Sequence, residues 1–416
     1  MDKKQQGGVT MLTRVLARRL FEAFSIQRWN DRIRPIELTQ MDAHGMQSVL
    51  TFFLGIIEEE NGEKIDWKTI IRGNLFTLLK KIMLSDIKLD VVSIIKKEHN
   101  KEYEKLNNWV IEQYKKIIDN TDFMDNFEKH LHEERNYDNI NYLILKGAHK
   151  YSTYREFAIL KPLNKKFPNF AHVKKQINQD IDDCMQLKGM RDLKSKLDLF
   201  DAICLIEQLR YQTRWSQTCR IPQTSVLGHC MLVAAFALLL TDKKGVCEKR
   251  IFNNFYGGLF HDLPECVTRD IVTPVKKATP DFENVIKKIE KEHCDTKLYP
   301  KIPEKPKKEL KYLVGHSEEG RTITEFSNRI INEKGKVLEV PGQDMDDLNS
   351  DELCPIEGEL IKICDDISAF LEAYMSIQQG ITSRHLEEGM TRIKTKYLKE
   401  KTSIPQYLEK FFMDFE

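Results

Sequence analysis

Apolar residues recur at helical spacing along most of the chain. The clearest runs are "LTRVLARRLFEAF" (12–24), "MQSVLTFFLGII" (46–57), "LDLFDAICLIEQLRY" (197–211), "MLVAAFALLL" (231–240) and "ELIKICDDISAFLEAYMSI" (359–377). Alternating β-branched runs with hairpin turns, the mark of strands, do not accompany them. Prolines gather in connections such as "TPVKKATPDF" and "YPKIPEKPKK". The pattern predicts an all-α protein.

The same order of features occurs twice. "QRWNDRIRPIELTQMDAHGMQSVLTFFLGII" (27–57) parallels "TRWSQTCRIPQTSVLGHCMLVAAFALLL" (213–240). Each opens with Arg-Trp and reaches a histidine, His44 or His229, at the start of an apolar helix. "LLKKIMLSDIKLDVVSIIKK" (78–97) then parallels "LFHDLPECVTRDIVTPVKK" (259–277), with Lys80-Lys81 in place of His261-Asp262. "LILKGAHKYSTYREF" (143–157) parallels "LIKICDDISAFLEAY" (360–374) and sets His149 opposite Asp365. Two tandem helical bundles follow, residues 1–195 and 196–416, divided at the polar stretch "QLKGMRDLKSKLD". Residues about 300–355 interrupt the second copy. Being charged and Pro-rich, they read as a solvated excursion, with a lid as the alternative.

Composition narrows the function classes. Lys and Arg number 65 against 64 Asp and Glu, so no overall positive field favours nucleic acid or an anionic membrane. No stretch approaches the roughly 18–20 apolar residues of a membrane span, and Arg18 and Arg19 interrupt any signal-peptide core at the N-terminus. All nine cysteines lie from Cys184 onward, with no CxxC, which fits reduced thiols and a cytoplasmic location.

Four residues of the second copy have the chemistry of metal ligands: His229, His261, Asp262 and Asp365. Imidazole nitrogen with carboxylate oxygen suits one divalent transition ion, Mn, Fe, Co, Ni or Zn. Neighbours within a regular helix do not share a face, so His261 and Asp262 reach one ion only if the helix ends there; Pro264 predicts that it does. Such an ion acidifies water and polarises phosphoryl oxygens. Glu265, three residues after Asp262, is placed to act as general base. Arg214 and Lys276 offer cations to a phosphate.

The pattern His … His-Asp … Asp resembles the HD-domain superfamily of metal-dependent phosphohydrolases. Within it, "HDLPECVTRDIVTPVK" and "KICDDISAF" resemble the bacterial HD-domain 5′-deoxynucleotidases, the YfbR-like family. That likeness implies an ion on His229, His261, Asp262 and Asp365, with Glu265 serving the catalytic water. It implies Arg214 on the phosphate, Trp215 and Asp270 on the sugar, and Thr273 and Lys276 completing the pocket. The reaction implied is hydrolysis of a deoxyribonucleoside 5′-monophosphate, a small-molecule nucleotide. A deoxynucleoside triphosphohydrolase and a non-catalytic nucleotide sensor are the alternatives. The first copy keeps Arg28, Trp29 and His44, but two ammonium groups where a cation belongs exclude metal there. It is expected to pack on the second copy as an intrachain pseudodimer and scaffold. Regulatory nucleotide binding and a higher oligomer are further options.

Overall fold

The computed structural model describes residues 11–415 apart from 86, 88, 134, 135, 137, 272–274, 276–278, 280, 317–322 and 400–405. Its core is built around two helices, Gln40–Glu60 and Val226–Thr241. Every residue of the second is buried, as is the first from Gln40 to Glu58. A helix apolar on all sides has to be covered on all sides. Trp67–Leu84 and Ile140–Asn164 cover Gln40–Glu60, while Glu248–Phe260 and Gly358–Gln378 cover Val226–Thr241. The two inner helices also cover each other. One continuous apolar core therefore runs through both halves.

The expected duplication is visible in local geometry. The 3-10 turn Glu22–Phe24 recurs as Gln208–Arg210, 186 residues on. At that offset the isolated bridge Gln27↔Thr39 recurs as Thr213↔Ser225. Trp29 and Trp215 both take positive φ, 55° and 56°. Thr39 and Ser225 then cap the inner helices, each hydroxyl accepting the amide of the third residue on, Asp42 or Gly228. This cap register corrects the pairing of His44 with His229. The residue at the place of His229 is Ala43, and His44 stands at the place of Cys230. The partner helix agrees: Ser152 Oγ donates to Ala43 O at 3.3 Å, and Ser368 Oγ meets His229 Nδ1 at 2.9 Å.

The halves meet closely. A Cβ on Gly228 would fall 2.6 Å from the Phe24 ring and 2.9 Å from Asp42 Oδ1, and one on Gly45 would fall 2.9 Å from Leu227. Asp42 accepts the Ser225 hydroxyl, so the first half braces the cap of the helix that carries His229. Arg72 binds Asp242 bidentately, Nε to Oδ2 at 2.6 Å and Nη2 to Oδ1 at 2.9 Å. At the boundary expected near residue 195, Lys196 separates the helices Lys188–Ser195 and Leu197–Glu207.

The insertion is not the solvated excursion its charge suggested. Glu304–Leu313 packs on Gln40–Glu60 and Glu248–Phe260, and a two-stranded hairpin, Arg329–Ile331 with Val337–Glu339, follows it. Charge density misled here because one of the charged side chains, Arg329, is fully buried and bonded to carbonyls, while apolar residues such as Leu310 and Leu313 face the core. Among the described residues no helix is long and apolar enough to cross a membrane.

Removing one partner of a buried ion pair strands the other charge, which costs about 3 kcal/mol or more. Arg72→Met, which leaves Asp242 with Lys68 alone at 3.4 Å, should therefore lower stability by up to about 3 kcal/mol in urea unfolding. The double variant Arg72→Met/Asp242→Leu should recover most of that loss.

Candidate functional site

Three chain segments converge on one point. His229 lies one turn inside Val226–Thr241. Glu248–Phe260 ends at His261, and residues 261–264 form a turn in which the Glu265 amide donates to Asp262 O at 3.1 Å. The helix ends where Pro264 predicted, and the turn lets adjacent side chains reach one place. Ligand atoms of His229, His261 and Asp262 all lie within 4.8 Å of one another. Asp365, on Gly358–Gln378, joins them with Oδ1 3.0 Å from His229 Nε2.

The donor set fits a cation. His261 Nδ1 donates to Gly258 O at 2.8 Å, so the lone pair of the neutral ring sits on Nε2. That Nε2 is buried without a hydrogen-bond partner, 3.3 Å from Asp262 Oδ2. A proton or a metal ion has to sit between them. With no ion, burial pulls the His261 imidazole down, but Asp262 and Cys230 outweigh it and raise it well above its ordinary value. A metal ion would take that proton's place. His229 goes the other way: burial, then Arg214, lower it and keep the ring neutral as a ligand must be. Its Nε2 is likewise buried without a hydrogen bond of proper geometry, despite the nearby Asp365 oxygen. Asp262 and Asp365 are both held ionised: burial opposes this, and His261 and Lys362 respectively lead the groups that overcome it.

Glu372 organises the surroundings. Fully buried, it accepts Trp215 Nε1 at 2.8 Å and Thr224 Oγ1 at 2.7 Å, and Arg214 Nε lies 3.3 Å away. Burial would raise its carboxyl, yet Arg214 and Arg220 hold it down at about 2. Arg214 also reaches Asp262 Oδ2 at 3.4 Å. Gln212 ties two further residues together, donating to Glu265 O at 2.9 Å and accepting the Asp270 amide at 3.0 Å.

A cavity of about 660 Å³ opens on this cluster, a size suited to a small organic ligand. Arg214, Trp215, His261, Asp262, Glu265, Asp270 and Asp365 all line it. The structure thus brings together every expected site residue except Thr273 and Lys276, which lie outside the described residues. Sequence reasoning missed Glu372, Gln212, Lys362 as a partner of Asp365 (2.8 Å), and the walls from the insertion and from Arg384–Lys399. Glu372 left one signal: Glu156 recurs at the same place in the first copy.

That first copy keeps the brace and has lost the ligands. Arg28 pairs with Glu156 at 2.8 Å and Trp29 Nε1 donates to it at 2.8 Å, as in the second copy. Lys80 stands as far from the cap Asp66 as His261 stands from Cys247. Its ammonium donates to Tyr103 OH at 2.5 Å. Burial, with help from Arg28 and Lys81, pushes His44 down to about 3; burial and Lys81 also lower His149 far below its ordinary value. Lys81 thus puts a fixed positive charge beside both rings. Among the described residues, the only cluster of three or more potential ligands is the one in the second half.

Known families match the two halves separately. Residues 206–394 match a family model described as an HD domain, and residues 18–194 match one described as 5′-deoxynucleotidase YfbR-like. Among curated proteins none matches the chain.

Asp262→Ala should reduce bound divalent metal, measured by elemental analysis of the purified protein, to below about a tenth of wild type, since losing a ligand removes a large share of the affinity. Lys80→Ala/Lys81→Ala should retain it. Metal loss in the lysine variant alone would reverse the assignment of the two halves.

Proposed function

Since the chain belongs to the HD-domain superfamily of metal-dependent phosphohydrolases, we propose that its second half hydrolyses deoxyribonucleoside 5′-monophosphates to nucleoside and phosphate. The first half is its scaffold, packed against it as an intrachain pseudodimer. The observation that carries this reading is the single cavity holding His261, Asp262, Asp365, Glu265 and Arg214 together.

His229, His261, Asp262 and Asp365 would hold one divalent ion, and their mixed nitrogen and oxygen donors suit Mn, Fe, Co, Ni or Zn. When bound, the ion supplies Lewis acidity to a phosphoryl oxygen and lowers the pKa of water. The chain's own groups do the rest. Arg214, fixed by Glu372, donates to the phosphate oxygens. Glu265 accepts a proton from the attacking water as oxygen adds to phosphorus. The bond to the 5′-oxygen breaks, and the proton taken up by Glu265 passes to that oxygen as the nucleoside leaves. Trp215 and Asp270 bound the sugar. The Trp215 ring is held between its bond to Glu372 and the Arg384–Lys399 helix, where a Cβ on Gly389 would fall 2.9 Å from it.

Charge favours a monophosphate over a triphosphate. The described lining carries eight carboxylates against four Lys or Arg side chains. One divalent ion leaves that balance negative, and a longer polyphosphate adds to the repulsion. The likeness to 5′-deoxynucleotidases rests on the motif "HDLPECVTRDIVTPVK" in the second half and on the family match in the first.

The test is a screen of dNMPs, NMPs and dNTPs with Mn, Co, Fe, Ni and Zn, identifying the products. Inorganic phosphate from dNMPs is expected; triphosphate released from dNTPs would replace this reading with that of a triphosphohydrolase. Glu265→Gln should lower kcat by roughly 10²–10³-fold, the usual contribution of a general base, while bound metal stays at the wild-type level.

A further inference from the structure

The insertion is fastened by one residue. Arg329, with no exposed surface, sends Nη1 to Ser327 O (2.8 Å) and Thr324 O (3.2 Å), and Nη2 to Tyr312 O and Leu313 O (both 2.8 Å). Its guanidinium thereby pins two arms of the chain, 312–316 and 323–327, to each other. Gly315, at φ +76°, and Gly358 sit where a Cβ would fall 2.2 Å from Ile323 O and 2.3 Å from Phe326 C. A segment held this tightly is a wall.

That wall faces the substrate cavity. Val314, His316, Ile323, Glu325 and Phe326 all line it. Phe326 lies at the metal end, its ring 5.9 Å from His261 and 5.0 Å from Lys362 Nζ. Glu325 is paired with Lys287 at 3.4 Å. His316 is anchored from behind, Nδ1 at 2.8 Å from the hydroxyl of buried Tyr299. Burial lowers its imidazole to about 4, so the ring is neutral and offers one hydrogen-bonding edge rather than a charge.

The two ends of the cavity differ in chemistry. Arg214 and Lys362 flank the ligand cluster, whereas Glu283, Glu290 and the Glu325–Lys287 pair belong to the side built by the insertion and by Phe282–His293. A phosphate belongs with the first set. A neutral, flat group with hydrogen-bonding edges belongs with the second.

We propose that the insertion forms a nucleobase subsite of the cavity, in which His316 hydrogen-bonds the edge of the base and Phe326 continues the wall from the base toward the metal end. This deepens the nucleotidase reading above and rests on it for the orientation of the ligand. His316 is then a specificity-determining residue, positioned through Tyr299.

The test titrates the full chain by calorimetry with the four deoxynucleosides and with deoxyribose 5-phosphate, and measures phosphate release from the dNMPs separately. Loss of one hydrogen bond corresponds to about tenfold in affinity. His316→Ala should weaken at least one deoxynucleoside by about that factor, and His316→Gln, which keeps hydrogen-bonding atoms, should recover part of it. The affinity for deoxyribose 5-phosphate should change by less than about twofold, since it has no base to lose. Unchanged deoxynucleoside affinities in His316→Ala, no deoxynucleoside binding to the wild type, or an equal loss for deoxyribose 5-phosphate would overturn the subsite. Deoxynucleosides that bind through His316 without any phosphate release from dNMPs would overturn the nucleotidase reading and leave the subsite standing.

Discussion

Two helices with no side that tolerates water dictate the architecture. Gln40–Glu60 and Val226–Thr241 are each covered by elements of both halves, and each turns one face to the other. Their contact fixes the halves as one core, and glycines at 45 and 228 bring the backbones close. The position of His229 follows from this. It sits one turn past a cap that is itself hydrogen-bonded to Asp42 of the other half. The site is therefore assembled by both halves, although only one supplies ligands.

The pattern of retained and lost residues is explained by what burial requires. A carboxylate with no exposure, such as Glu156 or Glu372, is tolerable only when its oxygens are paired. Arg28 with Trp29, and Arg214 with Trp215, meet that need in each copy, so the Arg-Trp pair persists where no chemistry takes place. The ligand positions carry no such structural demand. In the first copy Ala43, Lys80-Lys81 and His149 occupy them; the Lys80 ammonium turns to Tyr103, and the Lys81 charge acts on both His44 and His149.

The insertion shows how a polar segment becomes part of a core. Its lysines stay at the surface, while Tyr299, Leu310, Tyr312, Leu313 and Arg329 turn inward. The buried guanidinium is satisfied by backbone carbonyls rather than by an acid, so no pairing pattern in the sequence announces it.

Helical periodicity determined the all-α class, and the recurrence of Arg-Trp, the apolar helix and the His-Asp or Lys-Lys segment determined the tandem arrangement. The residues of the cluster could be picked out too, because His229, His261, Asp262 and Asp365 carry chemistry that apolar helices do not need, and because Pro264 marks the turn that lets neighbours converge. The register of the first copy was legible but easily missed: Trp29 lies one residue farther from His44 than Trp215 lies from His229, and the caps Thr39 and Ser225 fix that one-residue offset. Glu372, Gln212, His316 and Arg329 were not legible, since their roles depend on partners up to 158 positions away, as for Arg214 and Glu372. Spacing along a chain encodes what lies on one helix face. Which faces meet, and which polar groups are then stranded or satisfied, is decided only when distant helices pack.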